Sequence, residues 1–160
     1  MSDQRREADT VWMTLALREA EAAALRGEVP VGALIVADGA VVASTGNLKE
    51  LAMNPLGHAE IRVIEEAARR LGRWRLTGCT LYVTLQPCVM CAGAIVHSRL
   101  DRVVYGATDK KAGAVESLYQ ILSDVRLNHR PTVTGGVEAE ACGKILSDFF
   151  APRRKPNDRG

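Results

Sequence analysis

The chain has 160 residues, a net charge of +2, 47% hydrophobic residues and 25% charged residues. This length fits one domain, and the composition excludes collagen-like, low-complexity and mostly disordered classes. No run approaches the roughly 20 apolar residues of a membrane span, and the acidic N-terminus does not match a signal peptide. We therefore expect a cytoplasmic protein with no membrane partner, whose four cysteines are thiols or metal ligands rather than a disulfide framework.

The first half of the chain predicts a helix, a hairpin and a second helix. Apolar residues recur with helical spacing over residues 9–26. Two short apolar runs, residues 29–37 and 40–44, flank the turn dipeptide Asp38-Gly39 and predict antiparallel strands. A loop without periodicity follows, and residues 58–71 then show one apolar and one charged face, which predicts the second helix.

The second half predicts a crossover between parallel strands. Residues 80–85 and 102–107 are predicted strands, and residues 88–98 form a helix between them because Pro87 is well placed to begin it. A strand linked to another by one helix pairs with it in parallel. A short strand at residues 132–134 and a helix at residues 138–150 follow. The chain is thus predicted to be one α/β domain, residues 1–150, with a basic tail, residues 151–160.

Two short motifs place reactive side chains at the starts of predicted helices. His58 and Glu60 belong to His-Ala-Glu, and Cys88 and Cys91 belong to Pro-Cys-Val-Met-Cys. Cysteines three residues apart at a helix start project from one face, where the helix dipole favours their thiolate forms. One neutral imidazole and two thiolates would give zinc three ligands, leaving a fourth position for a water that ionises at roughly pH 7.

Glu60 is predicted to carry protons and not to bind the metal. Residues i and i+2 of a regular helix point about 200° apart. His58 and Glu60 can therefore face one metal only if they lie at an irregular first turn. The loop that ends at Gly57 is compatible with such a turn.

Two other interpretations of the cysteines are open. A closed structural zinc site would need a fourth protein ligand, and no candidate shows paired ligand spacing. The candidates are Cys79, His97, His129 and Cys142. A thioredoxin-like redox site also has Cys-x-x-Cys on a helix after a strand, but it would leave His58 and Glu60 without a role.

The pattern His-x-Glu followed by Pro-Cys-x-x-Cys is the signature of the zinc nucleobase deaminases. Over nearly its whole length apart from the termini, the chain resembles the bacterial tRNA-specific adenosine deaminases of the cytidine-deaminase superfamily. The segments that carry this resemblance are Glu28-Val-Pro-Val-Gly-Ala33, His58-Ala-Glu-Ile61, Leu81-Tyr-Val-Thr-Leu85, Pro87-Cys-Val-Met-Cys-Ala-Gly-Ala94, His97-Ser-Arg99, Arg102-Val-Val-Tyr-Gly-Ala107, Asn128-His-Arg130 and Leu146-Ser-Asp-Phe-Phe150. Gln86, where the family usually has Glu, and Asn54-Pro-Leu-Gly57 depart from its pattern.

The resemblance implies a three-layer α/β/α sandwich around a mixed five-stranded sheet, in agreement with the predicted hairpin and crossover. It implies one Zn²⁺ per chain, with His58, Cys88 and Cys91 as ligands, Glu60 as the catalytic residue, and a homodimer. It also implies a set of residues that contact the substrate. These are Asn47, Val31, Leu85, Ala59, Asp109, Phe149, Phe150 and Arg153.

The predicted reaction is the hydrolytic deamination of adenosine to inosine at the wobble position of a tRNA anticodon, with the base turned out of its stack. One alternative is deamination of a free base or nucleoside, such as cytosine, cytidine or guanine. A second is a non-catalytic, zinc-stabilised RNA-binding module, although such a module has no use for Glu60 beside an open metal. Arg153, Arg154 and Lys155 are candidate contacts to the phosphates of an anticodon stem-loop.

Overall fold

The computed structural model describes residues 2–154 of the chain and contains one sheet flanked by helices. Residues 155–160, which include Lys155 of the predicted basic tail, lie outside the described range. The elements in chain order are α1 (Asp3–Leu25), β1 (Gly32–Ala37), β2 (Ala40–Gly46), α2 (Ala59–Leu71), β3 (Cys79–Leu85), α3 (Val89–Ser98), β4 (Arg102–Ala107), β5 (Thr132–Thr134) and α4 (Ala139–Phe150). Single 3₁₀ turns occur at Ile121–Ser123 and Ala151–Arg153.

The strands form a mixed five-stranded sheet in the order β2-β1-β3-β4-β5. β1 pairs antiparallel with both β2 and β3, whereas β3, β4 and β5 are parallel to one another. The Asp38-Gly39 turn joins β1 to β2, with both residues at positive φ. The predicted hairpin and the predicted β3-α3-β4 crossover are therefore confirmed.

The sheet separates two hydrophobic layers, because alternate residues of each strand point to opposite faces. On one face, Ile35 of β1 packs in a cluster with Val63 of α2 and Ile95 of α3. On the other face, Leu34 packs in a second cluster that includes Met13 of α1 and also reaches α4. Two helices on each face give the predicted three-layer α/β/α sandwich.

Several element boundaries differ from the predicted ones. Helix α1 begins at Asp3 rather than at residue 9, because the Ser2 hydroxyl caps it by accepting a hydrogen bond from the backbone N–H of Arg5 at 3.2 Å. Strand β1 begins three residues later than predicted, at Gly32, and β2 continues to Gly46 because the two glycines pair across the hairpin. A Cβ atom at Gly32 would collide with the backbone of Ala16 in α1, so the helix could not approach β1 as closely.

Strands β2 and β3 run in the same direction, so the segments that follow them lead to the starts of α2 and α3 at the same end of the sheet. Each helix start follows a strand or loop that ends there, so the residues just before Ala59 and Val89 are brought together. Within residues 2–154, no helix is long and apolar enough to cross a membrane.

Candidate metal and substrate site

His58, Cys88 and Cys91 form one compact group of side chains. Sγ of Cys88 lies 3.6 Å and Sγ of Cys91 lies 3.4 Å from Nδ1 of His58. The three ligand atoms all lie within 4.8 Å of one another. One imidazole nitrogen and two sulfurs at this spacing are a donor set that suits zinc. The structure therefore brings together the three residues that the two motifs predict as ligands.

The geometry of this group depends on residues that sit just outside the helices. His58 is the N-cap of α2 and has extended backbone angles, φ −74° and ψ 146°. Glu60 is already in the first helical turn, so the regular i to i+2 divergence does not apply to the pair. Cys88 is the N-cap of α3, also in an extended conformation, and Cys91 lies one turn into the helix. The irregular start that the sequence analysis requires for His58 and Glu60 is present at α2.

The electrostatics of the group fit a metal site. The pKa of Cys88 is lowered to about 3, because the Cys91 thiol and the His58 ring both hydrogen-bond its thiolate. The hydrogen bond between the two cysteines raises the pKa of Cys91, because the Cys91 thiol is its donor. The thiolate of Cys88 in turn raises the pKa of His58. A bound cation would take the place of the protons that these groups share.

Glu60 lies beside the three candidate ligands and is buried. Its side chain is 4% exposed, and burial raises the pKa of its carboxyl group above the usual range. Interaction with this carboxyl also contributes to the raised pKa of the Cys91 thiol. A carboxyl held at the edge of a metal site, outside the ligand group, is placed to move protons to and from a molecule bound there.

None of the alternative fourth ligands joins the group within residues 2–154. Cys79 is buried at the start of β3, and Cys142 is buried in α4. His97 is exposed, and His129 Nε2 lies 2.7 Å from the backbone oxygen of Leu100. The described donor set therefore has three members, which leaves a coordination position for water or substrate.

Asn47, predicted to contact the substrate, fixes the turn that carries His58 and Glu60. Its Oδ1 accepts a hydrogen bond from the backbone N–H of Ala59 at 2.8 Å, so it satisfies one of the free donors at the start of α2. Asn47 is 8% exposed, and its own N–H donates to the carbonyl of Val31 at 3.0 Å. Ala59 and Val31 are both buried in the core cluster that also contains Ile35. Their predicted contacts with a base stay predictions.

A cleft of about 890 Å³ opens between the ends of β3 and β4 and helix α4. Leu85, Asp109 and Phe150, three of the predicted substrate contacts, line it. Three basic residues also line it: the candidate phosphate contact Arg154, and Lys110 and Lys111, which no sequence motif singled out. The cleft combines an apolar floor with a basic rim, and the candidate ligands do not line it.

Phe149 and Arg153 are arranged differently from Phe150. The guanidinium of Arg153 stacks on the Phe149 ring with its carbon 3.7 Å from the ring centroid, and it donates to the Phe149 carbonyl at 2.6 Å. The Phe149 and Phe150 rings meet edge to face, with centroids 5.3 Å apart. Arg153 therefore closes the end of α4, whereas Arg154 is the arginine at the cleft.

Comparison with known proteins places this arrangement in a family. The model of the MafB19-like deaminase family matches residues 7–154. A tRNA-specific adenosine deaminase of Bacillus subtilis is 48% identical over 147 residues, which cover 92% of this chain and 91% of the relative. The chain belongs to the tRNA-specific adenosine deaminase family. A relative of the same description from Haemophilus influenzae is 45% identical over 152 residues, 94% of this chain and 88% of the relative.

Solved structures agree with the family assignment. A tRNA:A34 deaminase, studied for A-to-I editing at the wobble position of transfer RNA, is 47% identical and superposes with a TM-score of 0.83 over 86% of this chain and 99% of that one. A guanine deaminase from Nitrosomonas europaea, 23% identical, has a TM-score of 0.71 over 89% of this chain and 84% of that chain. At that identity the second similarity shows the shared fold alone.

In this member of the family, Glu28 has a structural task that no sequence motif indicated. Its buried carboxylate accepts hydrogen bonds from three successive backbone N–H groups, those of Lys49, Glu50 and Leu51, at 2.8 to 2.9 Å. Burial favours the neutral carboxyl, but these hydrogen bonds outweigh it and lower the pKa of Glu28. Glu28 thus anchors the loop that leads to His58. An acidic residue directly before the apolar run of residues 29–37 was the available signal.

Proposed function

We propose that the chain catalyses the zinc-dependent hydrolytic deamination of adenosine to inosine at the wobble position of a tRNA anticodon. The observation that carries the proposal is the buried carboxyl of Glu60 beside a donor set of three members, His58, Cys88 and Cys91. The family assignment supports the substrate, because the relatives are described as specific for adenosine in tRNA. Residues 1–150 would form the catalytic domain.

The proposed cofactor is one Zn²⁺ per chain, with His58, Cys88 and Cys91 as its ligands. The one nitrogen and two sulfurs fit zinc better than they fit magnesium or calcium, which prefer oxygen donors. When bound, zinc supplies a Lewis acid that lowers the pKa of a water to roughly 7. The chain's own residues would then have to orient the base and move the protons.

Glu60 is the proposed proton carrier. In the hydrolysis, water adds its oxygen to C6 of adenine, and the amino group leaves as ammonia. Glu60 takes one proton from the attacking water and delivers it to N1 of the base. It then takes the second proton from the hydroxyl group now on C6 and delivers it to the amino group, which leaves as ammonia as the C6 carbonyl forms. Because the carboxyl is buried, bulk water does not compete with these transfers.

The adenine would be turned out of its stack to reach this carboxyl. Asn47 is placed to orient it, because Oδ1 is occupied by Ala59 and Nδ2 has no hydrogen-bond partner within residues 2–154. Leu85 lines the cleft and ends β3 shortly before Cys88 in the sequence, so its side chain would contact the base or its neighbour. Predicted roles for Val31 and Ala59 in lining the base pocket belong to the same proposal.

The cleft is the proposed seat of the anticodon stem-loop. Lys110, Lys111 and Arg154 on its rim would neutralise phosphates, while Phe150 offers an aromatic surface to a base that neighbours the target. Asp109 would contact the sugar or base of the target nucleotide. We further propose that the protein acts in the cytoplasm as a homodimer, as the resemblance to the family implies.

The proposed function is tested by incubating the zinc-loaded protein with anticodon stem-loops that carry adenosine at the wobble position. We expect inosine at that position by mass spectrometry, with one equivalent of ammonia released. A matched stem-loop with guanosine at the wobble position and adenosines elsewhere in the loop should remain unmodified. Free adenosine, cytidine, cytosine and guanine are assayed in parallel.

Efficient deamination of one of the free compounds, with no gain from the stem-loop, would instead favour the small-molecule alternative. Binding of the stem-loop without release of ammonia, in a protein that contains zinc, would favour the non-catalytic RNA-binding alternative. Either outcome would overturn the proposal.

A further inference from the structure

Gln86 is a buried side chain that holds a distant loop by its amide oxygen. It is 2% exposed and follows the last residue of β3. Its Oε1 accepts hydrogen bonds from three successive backbone N–H groups, those of Val115, Glu116 and Ser117, at 3.2, 2.8 and 3.1 Å. A single acceptor therefore satisfies the donors of a tight turn about thirty residues away.

This turn is connected to the wall of the cleft through Ser117. The Ser117 hydroxyl lies 3.2 Å from Oε1 of Gln86 and also contacts the backbone oxygen of Asp109. The same Asp109 oxygen accepts from the N–H of Gly113 at 3.1 Å, and the Asp109 side chain accepts from the N–H of Lys111 at 2.9 Å. These hydrogen bonds hold the segment from Asp109 to Ser117 in one conformation against Gln86.

The backbone around Gln86 is also held in place by hydrogen bonds. The N–H of Gln86 donates to the carbonyl of Ala107 at 2.8 Å, which ties the end of β3 to the end of β4. Gln86 precedes Pro87, whose carbonyl accepts from the N–H of Ala114 at 2.8 Å, and the candidate ligand Cys88 comes next. Gln86 therefore lies between the candidate metal ligands and the loop that lines the cleft.

The two halves of the Gln86 amide are used very unequally. Oε1 serves three N–H groups and one hydroxyl, whereas Nε2 is buried without a hydrogen-bond partner, the only such side-chain atom within residues 2–154. A buried donor without a hydrogen-bond partner has a cost in stability. The fold accepts this cost at Gln86, so the requirement at this position is for an acceptor.

We infer that Gln86 is a positioning residue for RNA binding. Through its hydrogen bonds to residues 115–117, Gln86 fixes the conformation of residues 109–111, which form one wall of the cleft. The inference rests on the proposed function, because it assigns this wall to the stem-loop. Gln86 touches neither the base nor the phosphates. It acts by holding Asp109, Lys110 and Lys111 where the substrate meets them.

The test compares four variants of the full chain on a wobble-adenosine stem-loop. Gln86→Met removes the acceptor at similar volume and should raise KM by about tenfold with kcat and zinc content close to wild type. Gln86→Glu keeps an acceptor for the three N–H groups and should restore the wild-type KM. Ser117→Ala removes the link to Asp109 and should raise KM in the same direction. Gln120→Met, an exposed glutamine of the same segment, is the matched control and should leave both constants unchanged.

A wild-type KM in both Gln86→Met and Ser117→Ala would overturn the inference. So would an equal fall in kcat for both, because that result would place the effect at the chemical step. If Gln86→Met does not fold, Ser117→Ala, which leaves no large cavity, decides the outcome. The proposed function is judged separately by whether the wild-type protein deaminates the stem-loop, and the inference by the ratio of each variant to wild type.

Discussion

Glu60 and His58 are two residues apart, and we propose different chemical tasks for them because their surroundings differ. His58 precedes α2 and points its ring nitrogen at two sulfurs, whereas Glu60 is inside the first turn with its carboxyl buried. Removal of either side chain should abolish activity, but for separate reasons. The two losses can therefore be told apart by measuring metal content together with turnover.

We expect Glu60→Gln to retain fold and zinc but to lower kcat by at least about 100-fold, the contribution typical of a general acid–base group. The amide has a similar shape but cannot carry the proton. Turnover on the stem-loop and zinc by mass spectrometry are measured on the same sample. Near wild-type turnover in a zinc-replete variant would remove Glu60 from the mechanism.

Cys88→Ala should lose zinc and lower the midpoint of thermal unfolding, because thiolate ligation couples metal binding to folding. His58→Ala should likewise lose or misplace the metal, and chelator treatment of the wild-type protein should mimic both. Cys79→Ala is the control, since Cys79 is also a free thiol but is buried at the start of β3, outside the ligand group. A zinc content of one per chain in Cys88→Ala would contradict the assignment.

At the scale of whole elements, helix α1 is fastened to the sheet by a buried ion pair. The carboxylate of Asp9 accepts from Nη1 and Nη2 of Arg102 on β4 at 2.8 and 2.7 Å, and from the hydroxyl of Tyr82 on β3 at 2.7 Å. Burial alone would favour the neutral carboxyl, but the hydrogen bonds from Arg102 and Tyr82 outweigh it and lower the pKa of Asp9. The folded state therefore favours the ionised carboxylate.

The lowered pKa of Asp9 predicts a contribution to stability that is present above the usual carboxyl pKa and lost as the pH falls through and below about 4. Asp9→Asn should reduce the free energy of unfolding at pH 7 by ~3–5 kcal/mol, because Arg102 is left buried without its counter-charge. Its acid-side loss of stability should also be shallower than that of the wild-type protein. Urea unfolding between pH 3 and about pH 7 measures both effects.

Asp148→Asn is the control for this measurement. Asp148 pairs with Lys144 on the exposed face of α4, with both side chains more than half exposed. Such a surface pair contributes only ~0–1 kcal/mol. Equal losses in the two variants would mean that burial of the Asp9 pair contributes nothing.

At the scale of the whole molecule, the basic rim of the cleft includes Arg154, the last residue that the structure describes. Arg154 lines the cleft at the end of the described range, directly after the 3₁₀ turn Ala151–Arg153. Arg153 is bound to Phe149 and closes the helix. Arg153, Arg154 and Lys155 stay the candidates for phosphate contact in the tail, and Arg154 is the one of them that lines the cleft.

Deletion of residues 151–160 should raise KM for the stem-loop and flatten its dependence on salt. The logarithmic slope should fall by about 0.7 for each phosphate of single-stranded RNA that the variant no longer neutralises. The preference for adenosine should persist, because phosphate contacts position a substrate without reading its bases. Zinc content should not change. KM measured over a range of salt concentrations checks the slope.

Arg126→Ala is the control for the tail. Arg126 is exposed and pairs with Asp124, outside the cleft. This substitution removes one positive charge but leaves the rim of the cleft intact, so the salt slope should remain that of the wild-type protein. An unchanged slope in the deletion variant would exclude the tail from RNA binding.

The sequence alone determined the elements and the candidate ligands, because both rest on local spacing. Helical periodicity, the Asp38-Gly39 turn and the strand–helix–strand order predicted the helices, the hairpin and the crossover, and His-x-Glu with Cys-x-x-Cys predicted the candidate ligands. The three-layer sandwich was implied by the resemblance to the deaminase family. The α1 start was misplaced because its first turns are exposed on all sides and carry no apolar stripe. There the Ser2 cap, rather than burial, marks the beginning of the helix.

Only the tertiary structure decided which loops and which cleft surround the candidate ligands. Gln86 and residues 115–117 are about thirty positions apart, and Glu28 and the loop it anchors are about twenty apart, so no local pattern connects them. The cleft likewise exists only where the ends of β3 and β4 meet α4, which is why Lys110 and Lys111 could not be distinguished from other surface charges. Local spacing fixes which atoms could bind a metal, whereas long-range packing forms the cleft that we propose for the substrate.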